Sequence, residues 1–196
     1  HEILSRQDVQ NLLDNLKTTH PTLVTELVPG LLNVGQVQRV LQNLLAEGLS
    51  IRNLAGILEK VGDYASVSKN PDELSEYARK ALGMQIVKHY VDEKNNLRVI
   101  TLDPELEQQI SQGIRQTQME ISLLMEPKIA QHVMGVLSRK IQQLVAEGLP
   151  PIVVCGPQLR LPFRRFFETT FADLAVLSYA EIPAKVEIQT SATIPM

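Results

Sequence analysis

The sequence of 196 residues has one cysteine, no tryptophan, no long apolar run and no large excess of charge. A single thiol, Cys155, cannot form an internal disulfide framework and indicates a reducing compartment. The 19 basic and 22 acidic residues give a formal net charge of −3, which is not the footprint of a nucleic-acid-binding protein. The apolar runs are shorter than the roughly 20 residues that cross a bilayer. These absences exclude a disulfide scaffold, a broadly basic surface and a spanning helix.

The composition is that of an ordinary globular protein. Hydrophobic residues make up 44% of the chain and charged residues 21%, so one core or two small ones can form without a metal or a disulfide. The chain begins with His1 and not with Met. We therefore expect it to be a piece of a longer protein.

Residues 1–91 predict an all-helical subdomain, because apolar residues recur there at helical spacing. Ser5 and Asp8 resemble a capping box, Ser50 is placed to cap a later helix, and Asn70-Pro71 is a further start signal. Gly48 is a typical stop. The predicted helices cover about residues 5–16, 21–28, 34–47, 50–61 and 71–90.

Residues 92–196 predict a small layered α/β subdomain. Two strongly apolar segments, 152–155 and 174–177, flank a predicted helix, which is the order of a βαβ unit with parallel strands. Further strands are expected at 97–102 and 186–194, helices after Asp103-Pro104 and Glu126-Pro127, and a linker near 116–125. The predicted fold class is therefore α+β, an all-α subdomain followed by an α/β one.

No motif for catalysis, a cofactor or a metal is found in the sequence. Gly-x-Ser-x-Gly and both glycine-rich phosphate motifs are absent, and His20, His89 and His132 stand far apart without partners at ligand spacing. Cys155 ends a strand just before a helix, where a thiolate would be stabilised, but it also suits a small buried apolar residue. The sequence predicts no catalytic, cofactor-binding or metal-binding residue, and a protein that is not an enzyme.

Two further features allow alternatives. The segment 45–54 joins two amphipathic helices through Gly48, as in a helix-turn-helix regulator whose recognition helix would begin at Ser50 and carry Arg52; the other interpretation is a packed helical corner. The densest basic cluster is Arg160, Arg164 and Arg165. It is either solvated charge or a docking surface for acidic protein segments, because guanidinium groups pair bidentately with carboxylates.

An ordered set of motifs carries a family resemblance across nearly the whole chain. The motifs are Ser5–Gln10 with Leu12–Asp14, Leu27–Pro29, Val37–Gly48 with Ser50–Arg52, Glu76–Gly83, Val99–Pro104 and Val176–Pro183. In this order they resemble the cytoplasmic part of the FlhA-type export gates, the FHIPEP family of type III secretion. The pattern is closer to the flagellar members than to the virulence-associated ones.

The resemblance implies a non-enzymatic module, the last two cytoplasmic subdomains of an inner-membrane protein whose membrane-spanning region lies outside this chain. It implies a nonameric ring of copies on the cytoplasmic face of the bacterial inner membrane, which docks export substrates, chaperones and other export-apparatus proteins, with no cofactor and no nucleic acid. The resemblance also implies that neighbouring copies in the ring contact one another largely through the helical subdomain. There, Arg39, Gln42, Asn43 and Arg52 are the polar candidates, either for the ring interface or for capping helices internally.

Overall fold

A computed structural model describes residues 4–196 and divides the chain into two units. The first, here the helical unit, extends up to Ile86 and includes Thr117–Glu120. The second, here the α/β unit, contains Val87–Gln116 and Ile121–Met196. The predicted α+β fold class, helical first and α/β second, is confirmed.

The helical unit is built of short helices separated by tight turns. They are α1 (Arg6–Lys17), α2 (Pro21–Thr25) with a wide helical turn at Glu26–Leu31, α3 (Val34–Ala46), α4 (Leu54–Ala65) and α5 (Pro71–Ala81), followed by the short α6 (Gly83–Val87). The predicted capping box is present, since the Ser5 hydroxyl accepts from the Asp8 N–H and the Asp8 carboxylate accepts from the Ser5 N–H. Gly48 lies at φ +73°, a left-handed conformation that stops α3.

Two helix boundaries differ from the prediction. The fourth helix is capped by Asn53, whose Oδ1 accepts from the Gly56 N–H at 3.2 Å, and not by Ser50. Ser50 Oγ instead accepts from the Arg52 N–H, which closes a local turn outside the helix. The fifth helix ends at Ala81 and not near residue 90. Its predicted start at Asn70-Pro71 is confirmed, because Asn70 Oδ1 accepts from the backbone N–H groups of Asp72 and Glu73 in the first turn.

The core of the helical unit comes from the apolar faces of α1, α3, α4 and α5, which pack on one another. Tyr64 and Tyr77 stack with their ring centroids 3.8 Å apart. Each buried aliphatic side chain contributes about 2 kcal/mol relative to its exposed state, so the unit depends on this layer. Its fully buried members include Val9, Val37, Val40, Leu41, Ile57, Leu58, Val61, Leu74 and Ala78.

The α/β unit has a sheet of four parallel strands in the order β5-β4-β1-β6. In chain order its elements are β1 (Asn96–Leu102), α7 (Pro104–Ser111), β2 (Ile114–Gln116), β3 (Ile121–Leu123), α8 (Pro127–Ala146), β4 (Ile152–Cys155), α9 (Pro157–Phe167), β5 (Ala175–Ser178) and β6 (Glu187–Ile194). All four residues of β4 are buried, as expected for an apolar strand covered on both faces.

The predicted βαβ unit is confirmed. Strands β4 and β5 are parallel neighbours in the register Val153 to Val176, and α9 connects them. Helices α7, α8 and α9 bury their apolar faces in one cluster with the sheet. The fully buried members of this cluster include Ile100, Val133, Leu137, Val153, Cys155, Phe163 and Ile194.

The expected linker near 116–125 is instead part of an antiparallel hairpin. Strand β2 pairs with β3 in the register Arg115 to Ser122. The hairpin closes tightly at its base, where the Leu124 N–H donates to the Gly113 carbonyl at 2.9 Å and any side chain on Gly113 would collide with the Leu124 carbonyl. Ile121 is buried, and the Arg165 guanidinium donates to its carbonyl. These contacts from distant parts of the chain order a segment whose local periodicity is weak.

Candidate ring-contact and docking surfaces

Two of the four polar candidates in the helical unit make internal hydrogen bonds. Gln42 is half-buried on α3, and its Nε2 donates to the Leu4 carbonyl at 3.1 Å. The Asn43 Nδ2 donates to Asp72 Oδ1 and to Ser75 Oγ, both at 2.9 Å. The two amides therefore bind other parts of their own unit.

The other two candidates, Arg39 and Arg52, are exposed. Arg39 lies on the outer face of α3. Arg52 lies in the connection 47–53 between α3 and α4. A guanidinium at the surface binds carboxylates in a planar, bidentate geometry. These two side chains can accordingly contact an acidic surface of another molecule.

The helical unit also has an acidic groove, which the sequence analysis missed. It has a volume of about 620 Å³ and lies between α2, the turn that follows it, and α4. Three carboxylates line it, from Glu26, Glu59 and Asp63. The other lining residues are Thr19, His20, Pro21, Thr22, Leu23, Leu27, Leu31 and Gly62. The carboxylates come from two segments about 35 residues apart, and only the fold brings them together. The groove attracts cationic side chains by its charge.

A second feature missed from the sequence is an ion pair inside the helical unit. Arg79 Nη1 lies 2.8 Å from Glu47 Oε2, and 3% of the Arg79 side chain is exposed. No local pattern links the two residues, which are 32 positions apart. The pair stabilises the fold of the unit and is not available to a partner.

The predicted arginine cluster is not one surface. Arg160 is fully buried, with 0% exposure, and its Nη1 donates to the Val176 carbonyl at 3.1 Å. Its assignment to a docking surface is therefore wrong. Arg164, with 24% of its side chain exposed, pairs with Glu168 at 2.8 Å one turn along α9. Arg165 is half-buried, and Arg164 and Arg165 alone remain candidates for docking.

The junction between β4 and α9 is closed to an added anion by a carboxylate of this chain. Cys155 ends β4 with 0% exposure, as expected of a small buried residue. The next amide, of Gly156, donates to Glu107 Oε1 at 2.6 Å. Glu107 thus occupies a donor that a phosphate would need at the start of α9. Partial burial, and then the charges of Glu107 and Cys155, raise the pKa of the nearby, half-exposed Tyr179 above its usual value.

The connection between α3 and α4 differs from that of a helix-turn-helix motif. It covers residues 47–53, whereas the motif uses a turn of about three or four residues. Ser50 lies in this connection and does not begin a recognition helix. The segment forms a packed helical corner.

Within residues 4–196, no group of three histidines, cysteines or carboxylates is placed to hold a metal ion. In the same range, none of the helices has both the length and the apolar character required to cross a membrane.

The comparison with family models decides the family. Residues 1–187 match the model of the FHIPEP family. The chain belongs to the FHIPEP family. A curated relative, the flagellar biosynthesis protein FlhA of Bacillus subtilis, is 38% identical over 190 residues. The match covers 97% of this chain and 28% of that protein, so the chain spans little more than a quarter of the relative's length.

Solved structures of secretion proteins have the same fold. The nonameric EPEC SctV-C has a TM-score of 0.84 and 25% identity, over 97% of this chain and 57% of that one. The complex of the Chlamydia pneumoniae CdsV and CdsO proteins contains a chain with a TM-score of 0.83 and 28% identity, over 98% of this chain and 56% of that one. The resemblance to FlhA-type export gates is thereby confirmed.

Proposed function

We propose that this chain is the C-terminal cytoplasmic portion of a flagellar type III export gate and that it acts as a non-enzymatic scaffold in a ring of copies. The observation that carries the proposal is the match of residues 1–187 to the FHIPEP model. The nonameric state of the similar SctV-C supports the ring. The 38% identity to a flagellar relative supports a flagellar system. The membrane-spanning part of such a gate would hold the ring at the cytoplasmic face of the inner membrane.

The ring contact, in this proposal, joins two different surfaces of the helical unit. A cyclic ring needs complementary patches on one molecule, because each copy contacts its two neighbours through unlike faces. We assign the exposed Arg39 and Arg52 to the basic patch, and the groove lined by Glu26, Glu59 and Asp63 to the acidic one. Opposite charges of this kind direct the register of an interface and accelerate its formation. Gln42 and Asn43 act indirectly, because their internal hydrogen bonds hold α3, the helix that carries Arg39, in place.

The experiment uses the complete cytoplasmic region of the gate, tethered to a membrane or at high concentration, with particle mass as the readout. We expect rings for the unchanged protein. Arg39→Glu combined with Arg52→Glu should raise the concentration for half-assembly by about tenfold or more, because two attractions become repulsions. Adding Glu59→Lys and Asp63→Lys should restore assembly. Lys69→Glu reverses an exposed charge outside both patches and serves as the control.

Strict monomers of the unchanged region under all conditions would contradict the ring. If the variant with both Arg39→Glu and Arg52→Glu assembles as well as the Lys69→Glu control, the ring contact lies elsewhere on the chain.

Docking of export substrates, chaperones and other apparatus proteins is the second part of the proposed function. The Chlamydia pneumoniae CdsV structure was determined as a complex with CdsO, a protein of the kind we expect to dock. On the α/β unit, Arg164 and Arg165 present the remaining basic surface of α9. Its expected partners are acidic protein segments.

This docking surface is tested by binding of the purified CdsO counterpart from the same secretion system. Arg164→Ala with Arg165→Ala should weaken binding by about fivefold, the usual effect of exposed ion pairs at an interface rim. Arg139→Ala, an exposed arginine on α8, is the matched control. Unchanged affinity in the double variant would leave both residues as solvated charge.

A further inference from the structure

The two edges of the sheet in the α/β unit differ in their openness. At one edge, β5 has four residues, three of which are buried. At the other edge, β6 has eight residues, of which one is buried, and it contains neither lysine nor proline. Lysines, prolines and very short strands are the usual means of protecting an edge from further pairing. Among residues 4–196, β1 is the strand that pairs with β6, and no strand pairs with its outer side.

The backbone groups on that outer side can be assigned. The N–H and C=O of one residue point to the same side of a strand, and the side alternates along the chain. The Glu187 N–H donates to the Asn95 carbonyl on the β1 side, so Ile188 and Thr190 point their groups outward. The register with β1 shifts opposite Val99 and Ile100, where Ser191 is the extra residue.

Beyond the bulge, the Ile194 carbonyl accepts from the Asp103 N–H on the β1 side. The backbone N–H and C=O of Thr193, the preceding residue, therefore point outward.

The open strand is held rigidly from the inside. Ile194 is fully buried in the cluster beneath α8. The Thr193 hydroxyl lies 3.0 Å from that of Thr101 on β1, and His132 Nε2 lies 2.8 Å from the Pro195 carbonyl just after the strand. A strand that is already extended and fixed loses little conformational entropy when another strand pairs with it.

A small basic pocket lies beside this edge. It has a volume of about 110 Å³ and is formed where the last turns of α8 approach the sheet. Two of its lining residues, Ser191 and Ala192, are consecutive in β6, and the bulge turns both toward it. Its charged groups are Arg98, Lys140 and Glu147, which leaves an excess of one positive charge. The other lining residues are Gln143, Leu144 and Leu149.

We propose that the β6 edge and this pocket together form a docking site for an extended polypeptide segment that carries an acidic side chain. The segment adds a fifth strand to the sheet through the outward groups of Ile188, Thr190 and Thr193. Its carboxylate enters the pocket between Arg98 and Lys140. Main-chain bonds supply the affinity in this mode of recognition, and a side-chain pocket supplies the selectivity.

A β6 strand from a second copy does not fit this site. The charged residue of β6 is Glu187, at its first position, and the positions that would face the pocket are uncharged. A copy therefore offers no carboxylate at the centre of the strand, where the pocket requires one. The occupant is a segment of different sequence.

The test uses the full chain of 196 residues and a synthetic peptide, acetyl-Ser-Thr-Val-Thr-Glu-Thr-Val-Thr-Ser-amide, as the probe. Amide hydrogen exchange is followed residue by residue. With the peptide at roughly ten times its Kd, exchange at Ile188, Thr190 and Thr193 should slow by about tenfold, because only free chains exchange there. A peptide N-methylated at alternate residues cannot pair with a strand, and it should give no slowing.

The pocket is tested separately, with variants that leave the backbone edge intact. Replacing the central glutamate of the peptide by lysine should weaken binding by about tenfold, and Lys140→Gln should weaken binding of the glutamate peptide by about fivefold. Lys128→Gln removes an exposed charge from the other end of the same helix and should change nothing.

Three outcomes would overturn the proposal. The first is unchanged exchange at the three outward amides. The second is equal binding of the glutamate and lysine peptides. The third is slowing of the same amides by protein concentration alone, because this would assign the edge to a second copy of the chain.

Discussion

Arg79 of α5 and Glu47, just after α3, are joined by an ion pair 2.8 Å long in the helical unit. The exposed fractions of the two side chains are 3% and 12%. Charges removed this far from water are costly unless they are paired, because the interior does not solvate them. The pair fixes the end of α3, and with it the surface that carries Arg39, against α5.

Removing the guanidinium should therefore destabilise the unit strongly. We expect Arg79→Ala to lower the free energy of unfolding by about 3 kcal/mol, since it leaves the largely buried Glu47 carboxylate with less compensation. Arg39→Ala, at an exposed position of α3, should change it by no more than about 0.5 kcal/mol. Urea unfolding of both variants measures the difference. Equal midpoints would mean that the ion pair contributes nothing to the fold.

The local elements of this fold were predictable, because their signals lie within a few residues. The capping box of Ser5 and Asp8 and the start at Asn70-Pro71 use adjacent side chains and amides. The apolar run 152–155 predicted a buried strand, and the strand–helix–strand order predicted parallel pairing with β5. The caps and the buried strand have their physical cause within a few residues, and the pairing of β4 with β5 follows from the order of the elements.

The features that were missed depend on distant partners. Ile121 lies in a segment without clear periodicity, and it is ordered partly by the guanidinium of Arg165, 44 positions away. Closeness in sequence alone grouped Arg160 with Arg164 and Arg165 as one basic cluster. It could not tell that Arg160 would find the Val176 carbonyl inside the unit. The acidic groove was missed for the same reason, because Glu26 and Glu59 meet only in the folded chain.

The revised start of α4 can be tested by capping variants. Asn53→Ala should lower the free energy of unfolding by about 1 kcal/mol, because its side chain accepts from the Gly56 amide. Ser50→Ala is the matched control, and as a residue outside the helix it should cost no more than about 0.5 kcal/mol. Thermal unfolding of the two variants provides the readout. A larger loss for Ser50→Ala would restore the boundary first predicted from the sequence.

Alkaline pH should destabilise the α/β unit through Tyr179. Tyr179 is 48% exposed. Its partial burial, and then the charges of Glu107 and Cys155, raise its pKa above the ordinary value of 10.0, so the folded state holds its proton slightly more tightly than the unfolded state does. This contribution is fully present below pH 10.0 and is lost as the pH rises through the folded pKa.

The measurement compares the unchanged chain with Tyr179→Phe, which lacks the titrating group. The stability of the unchanged chain should fall more steeply above pH 10.0 than that of the variant. The difference in phenolate absorbance between the two proteins reports Tyr179 alone, and its titration midpoint should lie above that of an ordinary tyrosine. Parallel stability profiles, together with an ordinary midpoint, would contradict the raised pKa.

Arg160 and Arg164 should respond differently to one and the same substitution. Arg160→Met removes a buried donor to the Val176 carbonyl and should lower the free energy of unfolding by about 3 kcal/mol, because the carbonyl is then left without this charged donor. Arg164→Met breaks an exposed pair with Glu168, which is worth about 0.5 kcal/mol. Urea unfolding measures the free energy lost in each variant. Equal losses would mean that the buried hydrogen bond of Arg160 contributes no more to stability than the pair of Arg164 with Glu168. The expected difference assigns Arg160 to the stability of the α/β unit, whereas Arg164, with 24% of its side chain exposed, contributes little to it.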